Sequence, residues 1–352
     1  MEDKDIKKIA EIFVNYSCKI KKGDVVLISA DLEAKPLVKE IYRQSLLRGA
    51  YPRIEWGIDD FSKIYYDNVN KDQLLYYPKI SEFAFKNTDV FIYIRSPLNR
   101  DELKNCDTRK MTLRQKILRP LLEIRLKKRW LVFIWPNKTY AKDAGLSLNK
   151  FKKFVFEATL LDWKKISKRM NKIASYLNKS DKIIIEGKET KISFSIKGKK
   201  AVVANGAYNM PDGEIFTAIN EKTANGYIYF DYPLRVFGKK IKNIKLWFKN
   251  GKVIKFNSSD NNSLKKMLNT DKGSKYIGEF AFGFNPKINR FSDALLFDEK
   301  INNSIHFALG NAYPECNGKN KSAIHEDIVK DMKKGKVFAD GKLIYKDGKF
   351  LI

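Results

Sequence analysis

Apolar and polar residues alternate along the first half of the chain in two rhythms. "IKKIAEIFVNYSCKI" spaces its apolar residues as a helix does, and "KKGDVVLISA" follows as a turn and a buried strand. "AKPLVKEIYRQSLLRGA" is an amphipathic helix closed by Gly49, and "YPRIEW" is a second strand. "TDVFIYIR" and "RWLVFIW" predict two more strands, separated by the basic helix "TLRQKILRPLLEIRLKK". This β-α-β rhythm predicts an α/β domain with a mainly parallel sheet. "SLNKFKKFVFEATLLDWKKISKRMNKIASYLNK" then reads as helix, at most briefly broken, leading out of that domain.

From about Asp181 the texture changes. "DKIIIEGKETKISFSIKGKKAVVANGAY" and "GYIYFDYPLRVFGKKIKNIKLWFKNGKVIKF" are short alternating strands broken by Gly and Asn turns. That is the pattern of an antiparallel sheet. "SSDNNSLKKMLNT" interrupts it as a helix, and "KVFADGKLIYKDGKFLI" ends the chain with two Asp-Gly turns between strands. The expected organisation is an α/β domain over residues 1–180 and an α+β, β-rich domain over residues 181–352.

Composition narrows the class. A chain of 352 residues with 43% hydrophobic and 13% aromatic residues can build two globular cores. The N-terminal "MEDKDIKKIAEIFVNY" lacks the apolar core of a secretory signal, and the longest apolar stretches have strand length. No membrane segment is expected. Cys18, Cys106 and Cys316 are scattered and form no CxxC pair, which predicts a reducing, cytoplasmic setting and no thiolate zinc site. A net charge of +28 points by itself to nucleic acid or an anionic surface. The lysines are spread through every segment and form no block, so a non-catalytic nucleic-acid-binding protein is the rival reading and not the leading one. "GKETKIS" lacks the GxxxxGK[ST] spacing of a phosphate loop.

The chain holds two histidines, His306 and His325, both inside "SIHFALGNAYPECNGKNKSAIHED". Each is an ordinary polar residue near a turn or a metal ligand, since neutral imidazole is the commonest nitrogen donor a protein offers. "SIHFALG" reads as a strand with Ser304, His306 and Ala308 on one face and Ile305, Phe307 and Leu309 on the other. A histidine on the small-residue face has room for a ligand. In "HED", an extended backbone points His325 and Asp327 the same way and Glu326 elsewhere; a helical one separates the pair. "NMPDGEIFTAI" and "GEFAFGFN" place Glu214 and Glu279 at the mouths of apolar strands, costly positions for carboxylates without a partner or a cation. Taken singly, His306 as a core imidazole, Tyr313 as a packing aromatic and "DGE" as a hairpin turn all stay open. As a set, two imidazoles and several carboxylates suit Zn, Co or Mn in a two-metal hydrolytic centre.

"NMPDGEIFTAI", "GEFAFGFNP", "LFDEKINNSIHFALGNAYPE" and "GKNKSAIHEDIVKDM", in this order, resemble the thermophilic metalloaminopeptidase family, the leucyl-type aminopeptidases T and S. "KKGDVVLISADLEAKPLVKEIYRQSLLRGA" and "WPNKTYAKDAGLSLNKFKKFVFEATLLDW" extend the resemblance over nearly the whole chain. It implies an α/β N-terminal domain, a C-terminal metal domain, two adjacent divalent metal ions, a homodimer, and peptide substrates with a free N-terminus. Carried across, it implies metal ligands at Glu214, Glu279, His306, His325 and Asp327, a further acid at Glu299, and a catalytic role for Tyr313; on mechanistic grounds Glu279 is expected to be either the base that takes the water's proton or purely a bridge. Another metallohydrolase on the same scaffold is the enzymatic alternative. The chain departs from the family pattern at Ile219, Glu326 and Lys191, which bears on pocket shape and loop geometry and removes no ligand.

Overall fold

The computed structural model describes residues 2–352, and its chain divides into two compact units. One comprises residues 1–161 and 206–211; the other comprises residues 162–205 and 212–352.

The first unit is built on a five-stranded sheet. Val25–Asp31 lies between Tyr51–Gly57 and Val90–Arg95, with Arg129–Ile134 next and Asn209–Met210 at the far edge. Every pairing is parallel. Strands paired this way need crossover connections, and the helices Lys35–Leu47 and Thr108–Leu126 provide two of them. Lys35–Leu47 buries Leu37, Val38 and Ile41, the apolar stripe its spacing predicts. The N-terminal helix begins as expected, but only Glu2–Glu11 is α-helical, and Ile12–Ser17 continues as a π-helix. The sequence pattern left residues 61–86 unread; they form three short helices, Phe61–Asn68, Lys71–Leu75 and Lys79–Lys86. The first and third bury no residue, and Ile80 and Phe83 of the third, though spaced as a helical stripe, are exposed. The long helix divides into Leu148–Thr159 and Trp163–Leu177, the second capped by the Asp162 carboxylate accepting from the Lys165 N–H.

The second unit contains an eight-stranded and a five-stranded sheet, both antiparallel in every pairing between their strands. The two Asp-Gly turns occur as expected, with Asp340, Gly341, Asp347 and Gly348 all at positive φ. That is the backbone a two-residue hairpin loop requires. Phe194 of the larger sheet meets Phe280 and Phe307 of the smaller one edge-on, at ring separations of 5.1 and 5.6 Å. Phe230 adds a third contact with Phe307, at 6.2 Å. One face of the five-stranded sheet is therefore locked into an aromatic core. Its other face carries the candidate site.

The five-stranded sheet runs His325–Asp331, Ser304–Gly310, Ile277–Gly283, Glu214–Thr217 and Val202–Ala204, in that spatial order. A β-bulge sits between Ile277 and Glu279, so that Ile277 pairs with Leu309 but Glu279 pairs with Ala308. Without it, strict alternation would put Ile277 and Glu279 on the same face. The bulge shifts the alternation by one: Ile277 joins the core with Phe280 and Phe282, and Glu279 faces the other way. Gly278 permits it, because a Cβ there would lie 2.3 Å from the Asn311 carbonyl and 2.5 Å from that of Gly310. Gly278→Ala is expected to cost about 1–3 kcal/mol of stability by overpacking. Urea unfolding of the two proteins measures it, and an unchanged midpoint would contradict the tight approach.

Candidate metal centre

Four strands deliver the candidate residues to one face of this sheet. His306 pairs with Ala281, Glu214 with Gly283, and His325 with Gly310. Ala308 stands between Glu279 on one side and Asp327 on the other. Each functional side chain thus has alanine or glycine as a cross-strand neighbour on at least one side, with Val329 on the other side of His306, which leaves room for the long side chains to lean toward one another. The expected faces of "SIHFALG" are the observed ones: Ile305, Phe307 and Leu309 are in the core. "HED" is extended, so His325 and Asp327 share a face. Glu326 lies beside Leu309 on the other, where burial raises its pKa.

The resulting cluster is dense. His306 Nε2 lies 3.2 Å from Glu279 Oε1, 3.6 Å from Glu214 Oε2 and 3.7 Å from Asp327 Oδ1. His325 Nε2 lies 3.5 Å from Glu279 Oε2 and 3.7 Å from Asp327 Oδ1. Two sets of three donors therefore form, Glu214–Glu279–His306 and Glu279–His325–Asp327, each with its ligand atoms within 4.8 Å of one another. Glu279 belongs to both. His306, Glu279, Glu214 and Asp327 are buried, and His325 is partly exposed.

Hydrogen bonds prepare the donors. His325 Nδ1 donates to the Asn311 carbonyl at 2.8 Å, which leaves Nε2 as the lone-pair donor facing the carboxylates. Glu214 Oε2, Glu279 Oε2 and Asp327 Oδ1 are buried without a hydrogen-bond partner. Unsatisfied buried carboxylate oxygens are costly, and several pointing at one another more so. A divalent cation resolves both costs. The donors, imidazole nitrogen and carboxylate oxygen without thiolate, fit the borderline ions Zn, Co and Mn.

Electrostatics follow the crowding. Burial and the nearby Glu214 push the Glu279 carboxyl up to about 8. Burial also raises Asp327 well above its ordinary value, with Glu299, Glu279 and Glu214 adding to the effect and His306 opposing it. Glu299 stands beside the cluster but in neither donor set; its carboxylate contacts Lys300 Nζ. Burial disfavours its charge, but Lys300 and then His306 outweigh that and hold its pKa below the ordinary value. Lys300 Nζ also donates to Glu214 Oε1 at 3.1 Å. Lys300 is the site residue that sequence reasoning missed. In a chain with 69 lysines and arginines, one more lysine after "FDE" carries no signal.

Tyr313 enters from the loop between the two histidine strands. Its ring lies 4.6 Å from that of His325 and 5.8 Å from that of Phe216, and it is 37% exposed. Burial of the phenol, then the charges of Glu279, Asp327, Glu299 and Glu214, raise its pKa well above the ordinary tyrosine value. The hydroxyl stays a neutral donor at the edge of the cluster.

A folded carboxyl raised from 4.5 to about 8 binds more protons than its unfolded counterpart between those pH values. Stability contributed by protonated Glu279 is therefore full at low pH and is lost as pH rises toward about 8. In chelator, the protein is expected to melt at a lower temperature at pH 8 than at pH 6. Glu279→Gln should flatten that slope. A melting temperature that rises over the interval would contradict the burial assigned to Glu279.

A family model described as thermophilic metalloprotease (M29) matches residues 2–350. Aminopeptidase 2 of Geobacillus stearothermophilus is 25% identical over 97% of this chain and 95% of its own. Aminopeptidase AmpS of Bacillus subtilis is 25% identical over 95% of this chain and 94% of its own. In fold, the chain is similar to wild-type AmpT from Thermus thermophilus, with a TM-score of 0.86 at 20% identity and 100% of both chains covered. A donor cluster suited to divalent ions and a family match running almost from end to end lead to one conclusion: the chain belongs to the thermophilic metalloprotease (M29) family.

Proposed function

We propose that this metalloprotease is an aminopeptidase that releases N-terminal residues from peptides at a centre of two divalent ions. The observation that carries the two-ion reading is the pair of donor sets that share Glu279. Glu214 and His306 would complete one shell, and His325 and Asp327 the other, with Glu279 bridging. The aminopeptidase reading is supported by the relatives named above, which match over nearly their whole length. The three cysteines are free and buried, which supports a reducing compartment, and no helix among the described residues is long and apolar enough to cross a membrane.

Bound in such a centre, divalent ions supply Lewis acidity toward a scissile carbonyl and lower the pKa of a water. The chain's own groups do the rest. Glu279, common to both donor sets, would accept the proton of the attacking water and pass it to the leaving amine, or serve only as the bridge between the two shells. Tyr313 donates a hydrogen bond to the tetrahedral oxyanion; its raised pKa keeps that proton in place. The substrate's free α-amine would bind to an ion or to a carboxylate of the cluster, which would select free N-termini over internal bonds.

Aminoacyl chromogenic amides test the proposal. Cleavage should be abolished by chelator, restored by Zn, Co or Mn, and blocked by N-acetylation of the substrate. No cleavage with any of these ions would refute the activity, and anomalous scattering with a single metal peak between His306 and His325 would refute the two-ion centre. Tyr313→Phe is expected to lower kcat roughly 100-fold with little change in KM. An unchanged kcat would remove Tyr313 from the mechanism.

A further inference from the structure

Lys300 has no solvent exposure. Its backbone position is set by contacts with the start of the Glu214 strand. The Lys300 carbonyl accepts the Asn285 N–H at 3.2 Å, Asn285 Nδ2 donates to the Asp212 carbonyl at 2.8 Å, and the Phe284 N–H donates to the Gly213 carbonyl at 2.8 Å. From there Nζ reaches Glu214 Oε1 at 3.1 Å and the Glu299 carboxylate. The second oxygen of Glu214, Oε2, is left without a hydrogen bond and turned toward His306 Nε2, 3.6 Å away.

A lysine removed from water is retained where anions compensate it, and this one contacts Glu214 and Glu299, with the charge of Asp212 adding to theirs. Glu214 and Glu299, the two carboxylates that Lys300 contacts, bring negative charge into a largely buried place that also holds Glu279 and Asp327, where an uncompensated charge is costly. We propose that Lys300 is a built-in counter-charge of the metal centre: it holds Glu214 by one oxygen so that the other faces the ion, and it stabilises the anionic cluster while no ion is bound. Lys300 is thus a positioning residue that shares its task with the ions. The inference rests on the metal reading above.

Two consequences separate this role from simple packing. The first is that removing the charge destabilises the ion-free protein more than the loaded one, because bound cations replace what is lost. The second is that deleting one carboxylate together with the lysine restores the balance. Lys300→Met in chelator is therefore expected to melt roughly 5–10 °C below the parent, the effect of unpairing buried charges in a domain of this size. Saturating Zn, Co or Mn should close at least half of that gap. The double variant Lys300→Met/Glu299→Gln should recover at least half of the loss in chelator.

Differential scanning calorimetry of the three proteins, with chelator and with each ion, reads all of these shifts. A Lys300→Met protein that folds only with metal present would support the proposal. An unchanged melting temperature in chelator would overturn it, and so would an equal loss with and without ions, or no recovery in the double variant. A parent protein whose melting temperature responds to none of the three ions would refute the metal reading itself. The comparison of single and double variants in chelator tests the counter-charge independently of that outcome.

Discussion

The cost of crowding Glu214, Glu279, Glu299 and Asp327 together out of water is the constraint on which the candidate site depends. Carboxylates do not gather in a buried place unless something holds them there. Here the holding is done by a sheet whose opposite face is fixed in an aromatic core. Phe280 and Phe307 anchor the two central strands, and Phe194 and Phe230 of the facing sheet close over them. Apolar burial on one face offsets the electrostatic cost on the other. The strands that carry the donors are thereby held by the packed core beneath them.

Small residues and one bulge turn that sheet into a site. Gly283, Ala281, Ala308 and Gly310 lie across from the functional side chains, so the donors converge without clashing. The bulge at Gly278 lets one strand serve two demands that simple alternation would set against each other, Ile277 in the core and Glu279 on the site. Lys300 and Asn311 then tune the donors, one by charge and the other by fixing the His325 ring.

Much of this was legible in residue order. The β-α-β rhythm of the first half corresponds to the parallel sheet, and the short alternating strands of the second half correspond to the antiparallel ones. "SIHFALG" placed His306 on the small-residue face, and an extended "HED" put His325 and Asp327 side by side. Other features left no readable trace. The helices between Phe61 and Lys86 are short, five to eight residues each, and a spacing such as Ile80, Phe83, Ala84 spans barely two turns. Gly278 looks like any strand-edge glycine until the carbonyls of Gly310 and Asn311 are seen against it. Lys300 is indistinguishable from dozens of solvated lysines, because its burial depends on Asn285 and Asp212 and on no neighbour in sequence.

The division has a physical origin. Which residues could serve as donors, and which face of its strand each would occupy, follows from side-chain chemistry and a two-residue period, both local properties of the chain. Convergence is not local. Glu214 and Asp327 approach the same imidazole because strands distant in sequence pair in one register, with Ile215 and Ile328 joining Phe280 and Phe307 in the core on the opposite face. Charge balance is less local still, since it depends on which cation the fold buries among the acids. Residue order nominated the ligands; the packed sheet made them neighbours and placed Lys300 among them.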